Sequence, residues 1–171
     1  MSLLSPVRGG ANSVPTLNEL AAVYLAGVTT LRTAVAGMSR EQQLARPVPG
    51  KWSTLEVVCH IADFEPVYAD RMKRVIALDR PQLLGADEKL FATALAYHDR
   101  DLDEELNVIE CTRRQMARIV RSLPETAAER IGVHSERGPK TLAELLALIT
   151  GHIPHHLPFI AEKRRGLGLG V

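Results

Sequence analysis

The sequence predicts an all-α fold: a four-helix bundle with a long crossover between its second and third helices. Three observations carry this. Four long segments repeat apolar residues in steps of three and four. No stretch shows strand-like alternation over a useful length. The chain has 171 residues, enough for one domain with a sizeable core.

Residues 1–14 carry Ser, Pro, Gly and Asn and read as a loose tail ahead of a single domain at 15–165. Pro15 and Thr16 open helix one, whose stripe is Leu17, Leu20, Tyr24, Val28, Leu31 and Val35, with Gly37 as its stop. Residues 38–52 read as a connector. Helix two starts at a capping box: the Ser53 hydroxyl accepts from the Glu56 amide and Glu56 reaches back, with Trp52 placed to staple onto Val57. Its stripe runs through Val57, Ile61, Phe64, Tyr68, Met72 and Val75, with Pro66 expected to kink or loosen it. Residues 90–97 suit a short helix within the crossover. Helix three starts near Asp99 or Asp101, residues that favour a helix N-terminus. Its stripe of Leu102, Leu106, Ile109, Met116, Val120 and Leu123 is polar at the middle, where Arg113 falls. Residues 124–140 read as a second connector. Helix four opens on a second capping box, Thr141 to Glu144, and ends on Lys163, Arg164 and Arg165, which suit the negative end of a helix dipole. Residues 166–171 read as a fraying tail.

Composition narrows the function. Net charge is +1 with signs interspersed, and no basic run is interleaved with aromatics, so nucleic acid is not an expected partner. No segment approaches the roughly 20 apolar residues of a membrane span, and the first residues lack a signal-like apolar run. Cys59 and Cys111 have no paired spacing and sit inside helical patterns, which suits reduced thiols in a cytoplasmic protein. The expected partner is a small-molecule substrate.

Helix four holds three of the six histidines within five residues. His152 and His156 lie one turn apart and continue the stripe of Leu145 and Ile149 towards Phe159 and Ile160; His155 falls on a flank. Most His-x-x-x-His pairs are merely exposed, but imidazoles on a buried stripe need partners for their nitrogens, and a metal ion is one. His60 is the third candidate ligand, at the edge of the helix-two stripe. Three histidines with an open fourth position suit catalytic zinc, and the same donors suit nickel, copper or iron. Glu56 and Asp63, near His60 on helix two, are candidates to hold its second nitrogen or assist proton transfer. Arg113 is either an interhelical ion-pair partner or an anion-binding group facing the site. His98 and His134 lie in connectors and read as solvated. Pro154 and Pro158 remove amides beside the histidines, which predicts a local break in helix four.

Two stretches carry a family resemblance: Lys51-Trp-Ser-Thr-Leu-Glu-Val-Val-Cys-His-Ile-Ala-Asp63, and Thr141-Leu-Ala-Glu-Leu followed by Gly151-His-Ile-Pro-His-His-Leu-Pro-Phe-Ile160. With a W-S-x-x-E-x-x-x-H segment and a late HxxxH, the chain resembles the DinB-like superfamily of metal-binding helical bundles. The resemblance implies His60, His152 and His156 as ligands of a divalent metal, zinc or nickel, in a bundle of non-trivial connectivity that often dimerises. It also implies activation of a thiol or a water. A low-molecular-weight thiol cosubstrate would give S-transfer, slightly preferred by analogy, and water would give hydrolysis. The competing reading is a non-catalytic stress or small-molecule-binding protein whose metal only staples the bundle.

Overall fold

Residues 15–170 are described by a computed structural model; the expected tail at 1–14 lies outside them. Six helices and three short strands follow in order: α1 (Leu17–Val35), α2 (Arg40–Leu44), α3 (Thr54–Ala77), β1 (Gln82–Leu83), α4 (Glu88–Ala94), α5 (Leu102–Arg121), β2 (Ile131–His134), β3 (Gly138–Thr141) and α6 (Leu142–Gly166). The long helices α1, α3, α5 and α6 are helices one to four of the sequence reading.

Local chemistry fixes the helix starts. Thr16, Ser53 and Thr141 each close a capping box with Glu19, Glu56 and Glu144 respectively. Asp101 accepts from two amides at the start of α5. α6 ends in a Schellman turn, in which Leu169 N donates to Arg164 O and Gly168 N to Arg165 O. Gly168 supplies the left-handed residue this turn requires, at φ +70.

Each long helix packs on two others. α1 and α3 both pack on α5 and α6, and so face each other across a diagonal. Side-chain pairs set the directions. Leu17 N bonds Glu125 beyond the end of α5, while Arg32 reaches Glu110, so α1 and α5 are antiparallel. Gly27 lies against Ile153, and Arg164 bonds the carbonyls of Ala34 and Ala36, so α1 and α6 are parallel. Glu65 meets Arg113 and Lys73 meets Gln115, so α3 and α5 are parallel. Adjacent parallel helices need a long connection, and residues 78–101 supply it, as expected.

The connectors hold more structure than the sequence suggested. Ser39 and Gln42 form a capping box that starts α2 inside the first one. The second one folds into a 3₁₀ turn and the β2–β3 hairpin, and β1 from the crossover pairs parallel to β2. These strands are two to four residues long, too short for alternation to register. Gly132 is required here: a Cβ would lie 2.7 Å from Leu83 Cδ1 and 2.8 Å from Val75. Among the described residues, no helix is long and apolar enough to cross a membrane.

α6 has no break at its prolines. It is helical from Leu142 to Gly166, with Pro154 and Pro158 four residues apart on its exposed side. Their rings point to solvent, where a missing amide costs no packing. α3 likewise continues through Pro66.

The core has two apolar halves. One holds Leu17, Met72, Met116, Leu145 and Ile149; the other holds Leu31, Leu55, Ile61, Ile109, Ile153 and Ile160. Between them lies a charged layer. Arg113 and Glu65 are fully buried and paired at 2.5 Å, and Tyr24 OH donates to the other Glu65 oxygen at 2.8 Å. Burial pushes the Glu65 carboxyl up, against Arg113 and Tyr24, which both favour its charged form. Glu65→Gln therefore leaves the Arg113 charge buried without its counter-ion. Urea unfolding should show a loss of about 3–5 kcal/mol; a loss below about 1 kcal/mol would contradict the central role of this layer.

Candidate metal centre

His60 sits in the second turn of α3, where every residue from Thr54 to Ala62 is buried. A helix buried on all sides gives a polar side chain no route to water. His60 is 2% exposed and is walled by the Trp52 ring at 5.3 Å and the Phe64 ring at 4.7 Å. α6 runs alongside and brings up His152 and His156, both half-buried.

The three Nε2 atoms converge. His152 Nε2 lies 2.9 Å from that of His60 and 3.1 Å from that of His156. One ligand atom from each residue falls within a sphere of mutual distances no greater than 4.8 Å. The protein alone cannot satisfy this set. Each nitrogen of a neutral imidazole is either one N–H or one lone pair, so His152 Nε2 makes one well-aligned hydrogen bond and leaves its other neighbour without a complementary group. The Nδ1 atoms of His60 and His152 are buried without any partner. A tautomer with Nδ1–H turns all three Nε2 lone pairs to one point, the donor set of a cation. Zinc–imidazole bonds of about 2.0–2.1 Å in a tetrahedral shell place nitrogens about 3.3 Å apart, close to the separations here. The residues present fit a divalent metal.

The electrostatics agree. Burial, then the neighbouring imidazoles, pushes His152 down to about 2 and His156 down to about 3. Burial lowers His60 too, opposed by the charges of Glu88 and Asp63. All three are therefore neutral near pH 7, the form that ligates.

The other sequence candidates are spent elsewhere. Glu56 accepts from Nε and Nη2 of Arg46, at 3.0 and 2.5 Å, and from Ser53 N. Although burial raises its carboxyl, these partners hold it below the usual range. Asp63 takes a two-pronged bond from Arg100 at 2.9 Å, and Arg100 also binds Glu105. Neither acid bonds an imidazole. Arg113 does not face a cavity: its donors go to Glu65, Tyr24 O and Ile149 O. The Ile149 contact pins α6 one turn before His152. His134 is buried rather than solvated, its Nδ1 accepting from Glu136 N, whereas His98 is exposed as expected. Cys59 is buried, Cys111 exposed, and both are free.

One neighbour was missed. Lys163 is 2% exposed, seven residues beyond His156 on the same face, with its ammonium on Phe159 O. The stripe spacing pointed inward there, but its place in the last turn read as dipole compensation. His155 is exposed with its ring 5.0 Å from that of His156, beside a cavity of about 540 Å³ that it lines with His152, Leu148 and Gly151.

A helical bundle with three convergent histidines on two facing helices defines a class of candidate metalloproteins. The sequence profile of the DinB superfamily matches residues 26–160, and the chain belongs to that superfamily. A protein of Oceanobacillus iheyensis, named "Putative metal-dependent hydrolase", is 27% identical over 77% of this chain and 76% of its own. A protein of Geobacillus thermodenitrificans with the same name is 28% identical over 81% of this chain and 78% of its own. YfiT from Bacillus subtilis, described as having "an unusual four-helix bundle topology", matches with a TM-score of 0.84 at 22% identity, over 95% of this chain and 94% of that one. The bundle and its crossover are thus a shared fold.

The depressed imidazoles give the metal-free protein a defined pH response. In the unfolded chain these histidines titrate near 6.5, so below that pH the unfolded state takes up protons that the folded site refuses. Stability is full above about pH 6.5 and falls progressively towards pH 3. Urea unfolding of chelator-treated protein should fall more steeply from pH 6.5 to 4 than that of its His152→Gln counterpart; equal slopes would contradict the burial of neutral imidazoles.

Proposed function

We propose that the chain is a metal-dependent hydrolase of a small molecule, with His60, His152 and His156 as the metal ligands. The observation that carries this is the convergence of three Nε2 atoms on one point, within 2.9 and 3.1 Å of one another through His152. The names of the relatives support the hydrolytic reading. A divalent ion of the zinc or nickel type supplies Lewis acidity that makes a water or thiol acidic near neutral pH.

The chain's residues do the rest. Neutral imidazoles offer lone pairs without displacing a proton. Trp52, Phe64 and Phe159 wall the site and exclude bulk water. Arg113, through Ile149 O, holds the turn that carries His152. His156 and His152 are the half-buried ligands, so the approach is from their side. His155 stands there with its ring exposed beside that of His156. A thiol in place of water would make the same site an S-transferase.

Protein made without a histidine tag should carry one divalent ion per chain by elemental analysis. His60→Ala, His152→Ala and His156→Ala should each lower metal content by roughly tenfold or more at matched metal activity. A sample that takes up neither Zn²⁺ nor Ni²⁺ would end the proposal.

Activity separates the remaining readings. Metal-loaded protein should hydrolyse members of an ester, amide and phosphoester panel, lose this with chelator, and regain it with metal. Turnover that appears only with an added thiol would indicate S-transfer. A metal-replete protein inert in both assays, whose His156→Ala variant loses tens of degrees in melting temperature, would mark a structural staple.

A further inference from the structure

Arg71 is a buried cation that the fold leaves without a counter-ion. It is 5% exposed on α3. Its Nη2 donates to Leu84 O at 2.5 Å, its guanidinium lies 5.0 Å from the Tyr68 ring, and its Nε is buried with no partner at all. Among the described residues, no carboxylate lies within 4.0 Å of it. Asp70 is taken by Arg74 at 2.6 Å. Glu136 stands against Gly85, and its pull on Arg71 is countered by Arg137. The contrast with Arg113, equally buried but bound to Glu65, is direct. An unpaired buried charge is costly, and such groups persist where something else completes them.

The space for a partner is present. Arg71 lines a cavity of about 600 Å³ between α3 and the segment joining β1 to α4. Its other walls include Pro66, Val67, Leu84, Gly85 and Phe91. The Asp70–Arg74 ion pair and Gln82 also line it, which leaves Arg71 as the cation of this cleft without an acidic partner; such a cation beside apolar walls suits an anionic small molecule. The Phe91 ring lies 5.8 Å from Phe64, which packs on His60, so the cavity begins where the aromatic wall of the histidine cluster ends. Arg71 follows His60 by eleven residues, close to three full turns, which puts both on one face of α3 about 16 Å apart.

We propose that this cavity binds a carboxylate or phosphate carried on an apolar body. The charged oxygens take the Arg71 guanidinium, and the body lies on Pro66, Val67, Leu84 and Phe91. This site stands on Arg71 alone and does not depend on the metal reading.

Calorimetric titration of the full chain with phenyl phosphate, benzoate and neutral benzamide tests it, at matched ionic strength. At least one anion should bind, which identifies the preferred oxyanion, while benzamide should not. Arg71→Met should weaken binding roughly tenfold or more, the loss of a charge-assisted pair. That variant also loses the tie to Leu84 O, so Leu84→Glu provides a second arm. Leu84 is 76% exposed, so this change should leave the melting temperature in place while setting a like charge on the wall. It should weaken binding to a similar degree, and His156→Ala should bind as the parent does. The proposal is overturned if neither anion binds, if benzamide binds equally well, if the foldable variants retain parental affinity, or if His156→Ala abolishes binding.

Discussion

The bundle is organised around one buried guanidinium. Arg113 draws together all four long helices: Glu65 from α3, the Tyr24 carbonyl from α1, the Ile149 carbonyl from α6, and its own α5. Desolvating two charges costs several kcal/mol per ion, and excellent geometry with added hydrogen bonds is what offsets it. Here four of the five guanidinium donors are accounted for, and Tyr24 adds both a hydroxyl to Glu65 and a ring 4.5 Å from the guanidinium. The layer also dictates sequence elsewhere. A Cβ on Gly27 would fall 2.5 Å from Arg113 Nη1, so α1 carries glycine where it passes the charge. Such a layer adds less to net stability than to register: each helix has one height at which its polar group meets the others.

Register is what the histidine cluster needs. His60 and the pair on α6 come from antiparallel neighbours, and a slide of one turn would carry Nε2 atoms about 5.4 Å apart. The charged layer lies just past His60 on α3 and just before His152 on α6. It therefore fixes the relative height of both histidine-bearing segments. The three nitrogens meet within hydrogen-bonding distance because the helices beneath them cannot shift independently.

Much of this was legible. The capping boxes at Ser53 and Thr141 set two helix starts to the residue, since a box needs only a local spacing of side chains. The histidine cluster was readable because His152 and His156 interrupt an apolar stripe that must be buried. What escaped depended on partners distant in sequence. Arg113 looked equally able to face a cavity or an acid, and only packing brought Glu65 to it. Glu56 and Asp63 flank His60 along the chain, yet Arg46 and Arg100 reach them first. The hairpin and α2 are short elements whose order comes from tertiary contacts. The break expected at Pro154 and Pro158 rested on lost amides alone. Their exposed placement, four residues apart, is what lets the helix run on.

The order of the helices has a consequence for assembly. α1 packs mainly on α5 and α6, both far along the chain. Contacts of such long range close slowly, because loop entropy must be overcome before they form. During synthesis from the N-terminus, α1 waits with its apolar stripe exposed until the last helix is complete. The histidine cluster waits equally, since two of its three members lie on α6. Assembly of the full trio is thus confined to a chain made through α6, and the first half of the bundle, released alone, would present one histidine of the cluster and a sticky helix.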